Sequence, residues 1–316
     1  MSTCADLMLF RYFRRRRRQQ LLAAPMPLAW QPYLEWGVPD YDALPSVARS
    51  RLASYVRWFV AEKHWEGCGG LELTDEIRVT IAAGACLLVL ELDFDMLSRV
   101  QSILVYPTEY VAPDRGLLIT EVEDEDEPWL EGSARLGEAW YRGPVVLSWQ
   151  DVERVARLHR RDLERSRAER AGQTIGANHR GPVGRQKRKR GSGRHSERDN
   201  VVAHEFAHQL DMLDRTVDGT PPLADRRQYK AWTRVMTVEF QQLSDDFDHG
   251  RPTFLDPYGT TNPGEFFAVA TETFFEQPRE LATEHPELYA VLRDFYRQDP
   301  AARQEACAAG ARAAGH

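Results

Sequence analysis

His204-Glu205-Phe206-Ala207-His208 is the most informative stretch of this chain. Residues four apart lie on one face of an α-helix, so both imidazoles can point at one metal ion while Glu205 lies beside them. Apolar residues surround the motif, as is typical of a buried helix: they are Val201, Val202, Ala203, Leu210 and Leu213. The pattern therefore predicts a buried helix with a zinc site, in which Glu205 is the general base that takes a proton from the attacking water.

A catalytic zinc needs a third protein ligand, and the sequence offers three candidates. Asp214 lies where an extended motif has its third histidine, but Asp211 replaces the glycine of the sharp turn in that motif. His249 follows an Asp-rich stretch that is typical of an exposed loop. Glu265 lies in a run with helical apolar periodicity, which starts with an N-cap asparagine and a proline. We favour Glu265, because a carboxylate from a second helix completes a two-histidine, one-glutamate site.

The position of Glu265 also has a second interpretation. Glu265 lies three residues after Asn262, where a capping-box glutamate would stand. Glu272 falls on nearly the same helix face, and two glutamates on an apolar helix are costly to bury without a cation or a hydrogen-bond partner. Glu265 as a ligand, with Glu272 hydrogen-bonded to a ligand histidine, explains both. Asp211 is another candidate for such a supporting contact, or an ordinary solvated residue near the helix end.

The motif and several other segments resemble the MtfA (Mlc titration factor A) family of zinc peptidases. The resemblance covers about residues 30–155 and 200–300, and the segments that carry it are HEFAHQLD (204–211), Tyr258, EFFAV (265–269), FYRQDP (295–300), ILVYP (103–107) and GPVVLSW (143–149). It implies a gluzincin-type metallopeptidase similar to the catalytic domain of anthrax lethal factor.

The same resemblance implies a role for each site residue. His204, His208 and Glu265 would bind one zinc ion per chain, and Glu205 would be the base. Tyr258 would hydrogen-bond the oxyanion that develops during peptide cleavage, which its phenol allows. Without the resemblance, Tyr258 is also consistent with a core or loop tyrosine. Aminopeptidase activity and binding to a Mlc-like transcriptional repressor of sugar uptake are implied by the resemblance alone.

Composition and segment order argue against a membrane or secreted protein. The longest apolar run, residues 81–90, is too short to span a bilayer. The amino-terminal arginines follow a short apolar stretch, whereas a secretory signal has the opposite order. Four scattered cysteines without a C-x-x-C pair predict reduced thiols in a cytoplasmic protein, with no membrane partner.

Charge is distributed unevenly along the chain. The formal net charge is −7, yet Arg11 and Arg14–Arg18 place six positive charges within residues 1–29, and residues 156–199 hold fourteen Lys or Arg against five Asp or Glu. The run QKRKR (186–190) could bind nucleic acid. A solvated loop is favoured, because the rest of the chain is strongly acidic.

The predicted architecture is α+β and mainly helical: a zincin-like peptidase domain around one active-site cleft. Besides the helices with His204 and Glu265, the periodicity predicts helices at 46–61, 75–92, 151–170, about 225–243 and 286–296, and strands at 102–106 and 144–148. We expect a basic disordered tail at 1–29, one domain at 30–305 with a basic low-complexity insertion at about 157–199, and a flexible tail at 306–316.

Two functions from different classes are consistent with these features. The leading interpretation is a zinc metallopeptidase acting on peptide substrates. The alternative is a non-catalytic protein that titrates a transcriptional repressor and whose zinc is mainly structural. The intact Glu205 favours the enzyme, because a structural zinc site needs no general base. Direct nucleic-acid binding is not expected.

Overall fold

The computed structural model describes residues 25–108, 137–139, 144–171, 199–214 and 216–314. The basic runs at 14–18 and 186–190 lie outside these ranges. Helices dominate the described residues: α1 (Gln31–Trp36), α2 (Ser46–Glu62), α3 (Asp75–Leu88), α4 (Trp149–Arg170), α5 (Val201–Asp211), α6 (Arg226–Asp248), α7 (Pro263–Glu276), α8 (Pro278–Glu284), α9 (Pro286–Tyr296) and α10 (Pro300–Ala314). Short 3-10 helices lie at Phe94–Arg99, Met212–Asp214 and Pro257–Thr260, among others.

A small mixed sheet supports the helix that carries the motif. Its strands are β1 (His64–Gly67), β2 (Ser102–Tyr106), β3 (Gly137–Ala139) and β4 (Val145–Ser148), in the order β1-β2-β4-β3. β1, β2 and β4 run parallel, with Ile103 opposite Val145, and β3 is antiparallel to β4 at one edge. Helix α5 packs against β4 and β3. The sheet thus fixes one side of the motif helix.

The hydrophobic core lies between this sheet and the helices. Ile103 and Val105 on β2, Val145 on β4 and Phe206 on α5 are all fully buried. Phe206 also meets Phe59 of α2, with ring centroids 5.7 Å apart in an edge-to-face arrangement. Phe206 belongs to the five-residue motif, so its burial fixes the motif helix against the core. Helical spacing places His204 and His208 on the face opposite Phe206, away from α2.

The mainly helical α+β class is confirmed, and most predicted elements are found within a few residues of their expected bounds. Helix α3 was predicted to reach residue 92 but ends at Leu88. There the side chain of Gln298 donates to the Leu87 carbonyl (2.7 Å) and Arg51 donates to the Leu90 carbonyl (3.0 Å). These distant donors satisfy the carbonyls at the helix end, so the chain can turn early.

Several short elements were not predicted, namely α1, α8, β1 and β3, and neither was α10. Strand β1 has only four residues and includes a glycine, so its pattern is too short to be recognised. Helix α10 extends beyond the last predicted helix and covers most of the residues for which a carboxyl-terminal tail was expected. It begins at a proline and is rich in alanine, which favours a helix. Over the described ranges, no helix combines the length and apolar character needed to cross a membrane.

Helix α4 continues to Arg170, well into the segment predicted as an insertion. Leu163 is buried, and Arg167 binds Asp42 with two nitrogens (2.9 and 2.8 Å) and Glu35 with one (2.8 Å). These ion pairs hold the pKa of Asp42 at about 2, mainly through the Arg167 hydrogen bond. The first part of the segment is therefore a docked helix, while residues 172–198 lie outside the described ranges.

This packing divides the segment into two parts with different expected effects on stability. Replacing residues 172–198 by a shorter Gly/Ser linker is expected to change the free energy of unfolding by less than about 1 kcal/mol, since loop-closure entropy varies slowly with length. A deletion that starts at residue 160 also removes Leu163 and Arg167, and is expected to cost about 3 kcal/mol or more. Urea unfolding of both variants tests this. A large loss from the first deletion would show that residues 172–198 contribute to the core.

Candidate metal centre

The helix with the two histidines begins where a local signal places it. Asn200 is the N-cap of α5, and its side-chain oxygen accepts a hydrogen bond from the Ala203 N–H (3.0 Å). The helix is buried on most of its surface. His204 and His208 keep only 15% and 11% of their side-chain surface exposed, so both imidazoles lie in a largely water-excluded setting.

Glu265 reaches the two histidines from a second helix. Asn262 is the N-cap of α7 and accepts from the Glu265 N–H (3.0 Å), so the predicted helix start is found. The Glu265 carboxylate is directed at the two histidines. Its Oε2 lies 3.0 Å from His204 Nε2 and 3.4 Å from His208 Nε2, and the two Nε2 atoms are 3.2 Å apart. Three ligand-type atoms on two helices therefore converge on one point.

Within the part of the chain that the structure describes, His204, His208 and Glu265 are the one group of three His, Cys, Asp or Glu side chains with this convergence. The Asp214 carboxylate binds Thr216 instead: its Oδ1 accepts hydrogen bonds from the N–H and the hydroxyl of Thr216 (3.0 and 2.7 Å). His249 is exposed at the end of α6, with its Nδ1 2.7 Å from the Asp245 carbonyl oxygen. Of the three candidates for a third ligand, the structure brings Glu265 to the histidines.

Glu272 contacts the His204 ring at Nδ1, the nitrogen on the side away from Glu265. Its Oε1 accepts from His204 Nδ1 (2.6 Å), and its Oε2 accepts from the Asn200 N–H (2.8 Å). With Nδ1 directed at a carboxylate, Nε2 is the nitrogen that faces Glu265 and His208 and would bind a metal ion. Glu272 thus selects the ring tautomer suited to a ligand and joins α7 to the start of α5.

The pKa values of His204 and Glu265 are shifted by their mutual contact. Burial alone would lower the pKa of His204, but the hydrogen bonds to Glu265 and Glu272 raise it well above its ordinary value. Burial alone would raise the pKa of Glu265, yet the hydrogen bonds with His204 and His208 lower it well below its ordinary range. Both shifts have the same cause: carboxylates beside the buried imidazole favour its positively charged form.

Glu205 and Tyr258 lie beside this cluster. Glu205 is 3% exposed, and its charge contributes to raising the pKa of His204. Tyr258 is half-buried in the 3-10 turn at Pro257–Thr260, with its ring centroid 6.0 Å from that of His204. The turn packs against α7, and Asp256 caps it by accepting from the Tyr258 N–H (2.8 Å). The Tyr258 ring therefore lies next to His204, and Glu205 is close enough for its charge to act on the same imidazole.

Asp211 holds the loop after the motif helix. Its side chain is fully buried, and Oδ2 accepts from the Gly219 N–H (2.9 Å); burial raises the pKa of Asp211 to about 6. Gly219 has φ +75°, and a Cβ there would lie 2.3 Å from the Pro263 carbonyl oxygen. The Gly219 carbonyl accepts from the indole of Trp232 (3.0 Å). This clasp of Asp211, Gly219 and Trp232 joins the end of α5 to the start of α7. It thereby fixes the position from which Glu265 reaches the histidines.

Gly219→Ala is expected to disturb both stability and the metal centre. An alanine here would have to adopt a positive φ, and its Cβ would push the backbone away from the Pro263 carbonyl. We therefore expect the free energy of unfolding to fall by about 2–4 kcal/mol and zinc binding to weaken. Gly250→Ala is the matched control, because Gly250 also has a positive φ (+66°) but no atom within 4 Å of the added Cβ. Thermal unfolding and zinc titration compare the two. Equal effects on zinc affinity would contradict the clasp.

Two of these contributors, Asn200 and Gly219, were not predicted from the sequence. Asn200 has the signal of an N-cap before an apolar run, but its hydrogen bond to Glu272 joins residues 72 positions apart and has no local signal. Gly219 stands in a polar stretch in which glycine is ordinary. Its role follows from the atoms that surround it in three dimensions.

Comparisons with known proteins identify the family of this chain. A family model described as glucose-regulated metallo-peptidase M90 matches residues 12–164 and 153–297. An uncharacterized protein of Synechocystis is 37% identical over 290 residues, which cover 90% of this chain and 89% of its own length. The Mlc titration factor A of Serratia proteamaculans is 30% identical (87% and 88% covered), and that of Klebsiella pneumoniae 29% (89% and 89%). The chain therefore belongs to the M90 metallopeptidase family, which includes the Mlc titration factor A proteins.

Proposed function

We propose that this protein is a zinc-dependent metallopeptidase that hydrolyses peptide bonds. The observation that carries the proposal is the convergence of His204, His208 and Glu265, with Glu205 adjacent on the same helix. Two imidazoles, one carboxylate and a neighbouring carboxylate base are the side chains that a hydrolytic zinc site uses. Membership of a metallopeptidase family supports the same function.

The three groups fit a zinc ion by chemistry and spacing. Donors held 2.0–2.1 Å from a tetrahedral zinc lie about 3.3 Å from one another. The corresponding separations here are 3.0, 3.2 and 3.4 Å. The nitrogen and oxygen donors suit zinc, and the three together leave a fourth position for water or substrate. We propose one zinc ion per chain.

Each side chain then has a distinct task in cleavage. A zinc ion at this site would lower the pKa of a coordinated water and polarise the scissile carbonyl. Glu205 accepts the proton of the attacking water and delivers it to the leaving amine. Glu272 keeps His204 in the ligand tautomer. The Tyr258 phenol donates a hydrogen bond to the oxyanion that develops on the carbonyl.

A sheet edge beside the motif helix offers a place for the peptide. Among the strands that the structure describes, β3 is outermost, and α5 packs against it. An extended substrate can pair with such an edge through main-chain hydrogen bonds, whatever its side chains. Aminopeptidase activity is the finer proposal and follows from the family resemblance. It requires that cleavage depends on a free amino terminus.

A peptide library tests this proposal. Each peptide is supplied with a free and with an acetylated amino terminus, and is incubated with zinc-loaded protein and with protein stripped by a chelator. We expect zinc-dependent cleavage, restricted to the free-amino set if the protein is an aminopeptidase. Cleavage of both sets would indicate an endopeptidase, and equal products from loaded and stripped protein would contradict the zinc mechanism.

Repressor binding is a second candidate, favoured by the name Mlc titration factor A that relatives carry. We propose that the chain also binds a Mlc-like repressor of sugar uptake, in the cytoplasm, where the thiols Cys68, Cys86 and Cys307 stay reduced. Co-purification with the repressor tests this, using wild type and Glu205→Gln. Binding by both, without any peptide cleavage by wild type, would favour the non-catalytic alternative.

A further inference from the structure

Among the described residues, one buried histidine, His159, lies outside the zinc motif. His159 lies on α4 and is 7% exposed. Its Nε2 lies 3.0 and 2.9 Å from the two carboxylate oxygens of Glu276, and its Nδ1 lies 3.0 Å from the carbonyl oxygen of Trp36. A carbonyl and a carboxylate only accept hydrogen bonds, so both ring nitrogens must donate. This contact pattern selects the imidazolium form of His159.

The surrounding charges agree with that assignment. Burial alone would lower the pKa of His159, but the Glu276 carboxylate reverses this, and the pKa is raised with further contributions from the Trp36 carbonyl and Asp40. His159 and Glu276 therefore form a buried ion pair between α4 and α7. A buried pair of this kind is weak evidence for extra stability, since desolvation offsets much of the attraction. Its contacts indicate another role.

Glu276 also contacts Asn200, the residue at the start of the motif helix. Its Oε1 accepts from the side-chain Nδ2 of Asn200 (2.7 Å), while Asn200 Oδ1 caps α5 through Ala203 N (3.0 Å). The backbone N–H of Asn200 donates to Glu272, which accepts from His204 Nδ1. A continuous chain of contacts thus leads from His159 through Glu276, Asn200 and Glu272 to His204.

The two glutamates of this chain explain why a cation is needed. Glu272 and Glu276 are four residues apart on α7 and both point toward Asn200. Like charges at that spacing repel each other, and burial makes an uncompensated carboxylate more costly. The imidazolium of His159 offsets the charge of Glu276. Glu276 then stays aligned on the amide of Asn200, without disturbing Glu272.

We infer that His159 is a positioning residue for the zinc site: its ion pair with Glu276 fixes Asn200 at the start of α5, and thereby fixes the contact of Glu272 with His204. The inference rests on the proposed zinc function. Loss of this cation is expected to weaken zinc binding about tenfold, at the low end of the effect of direct partners of zinc ligands, because His159 acts on His204 through three intervening residues.

The test compares His159→Leu with a matched control elsewhere in the fold. His285 also pairs with a glutamate, its Nδ1 lying 2.7 Å from Glu239 Oε2, but this pair joins α6 to the α8–α9 junction. Zinc affinity is measured by competition with a chelator, and the visible spectrum of cobalt-substituted protein reports ligand geometry. We expect both readouts to change in His159→Leu and to stay at wild-type values in His285→Leu, even where both variants lose stability.

Asn200→Ser keeps the inference testable if His159→Leu does not fold. Serine retains an oxygen that can cap α5, but it lacks the amide that donates to Glu276. The variant should fold, bind zinc several-fold more weakly and show an altered cobalt spectrum. Wild-type affinity and an unchanged spectrum in a folded Asn200→Ser or His159→Leu protein would overturn the inference. Absence of zinc binding by the wild type would instead remove the proposed function on which the inference rests.

Discussion

Glu205→Gln is expected to lower peptide hydrolysis by about a hundredfold or more while one zinc per chain stays bound. Glutamine keeps the size and shape of the side chain but cannot accept the proton of the attacking water. Because Glu205 is not among the three converging ligand groups, the metal should be unaffected. The loss should appear mainly in kcat, since proton transfer occurs during the chemical step.

We compare the kcat of wild type and Glu205→Gln in steady-state cleavage of a peptide chosen from the library. Zinc content is measured on the same samples. Glu287→Gln is the control, because this exposed glutamate pairs with Arg234 far along the chain from the motif and undergoes the same change of charge. A Glu205→Gln protein that keeps most of the wild-type kcat would show that another group accepts the proton.

Glu265→Ala is expected to remove most of the zinc. Loss of one of three protein ligands weakens binding well beyond the tenfold to hundredfold effect of outer partners. After dialysis against a weak chelator, the content should fall from about one zinc per chain to a small fraction of that. The buried histidines would also lose the carboxylate that lies between them, so some loss of stability is expected.

Asp214→Ala is the matched carboxylate variant. Asp214 accepts hydrogen bonds from Thr216, so its removal should leave zinc content near the wild-type value. Elemental analysis decides between the two carboxylates. Zinc retained in Glu265→Ala and lost in Asp214→Ala would reverse the assignment of the third ligand.

The parts of the site that could be predicted are those with local signals. Helical spacing alone places His204 and His208 on one face, and an asparagine–proline start places Glu265 in the first turn of its helix. The second glutamate, Glu272, was predicted to support a ligand histidine because a buried carboxylate needs a partner. The structure brings all three features together.

The parts that were missed depend on contacts between distant segments. His159 and Glu276 are 117 residues apart in sequence, and nothing in the amphipathic pattern of α4 distinguishes His159 from other positions on its inner face. The early end of α3 depends on a donor from Gln298, 211 residues away. Periodicity and capping rules act over one or two turns, so they cannot identify such partners.

The most direct test of the central claim is an anomalous difference map at the zinc absorption edge from crystals of the zinc-loaded protein. We expect one strong peak at about 2.0–2.1 Å from His204 Nε2, His208 Nε2 and a carboxylate oxygen of Glu265. A peak bound by other side chains, such as Asp214 or a cysteine, would contradict the assignment. Zinc-loaded crystals with no peak between the two histidines would contradict the account as a whole.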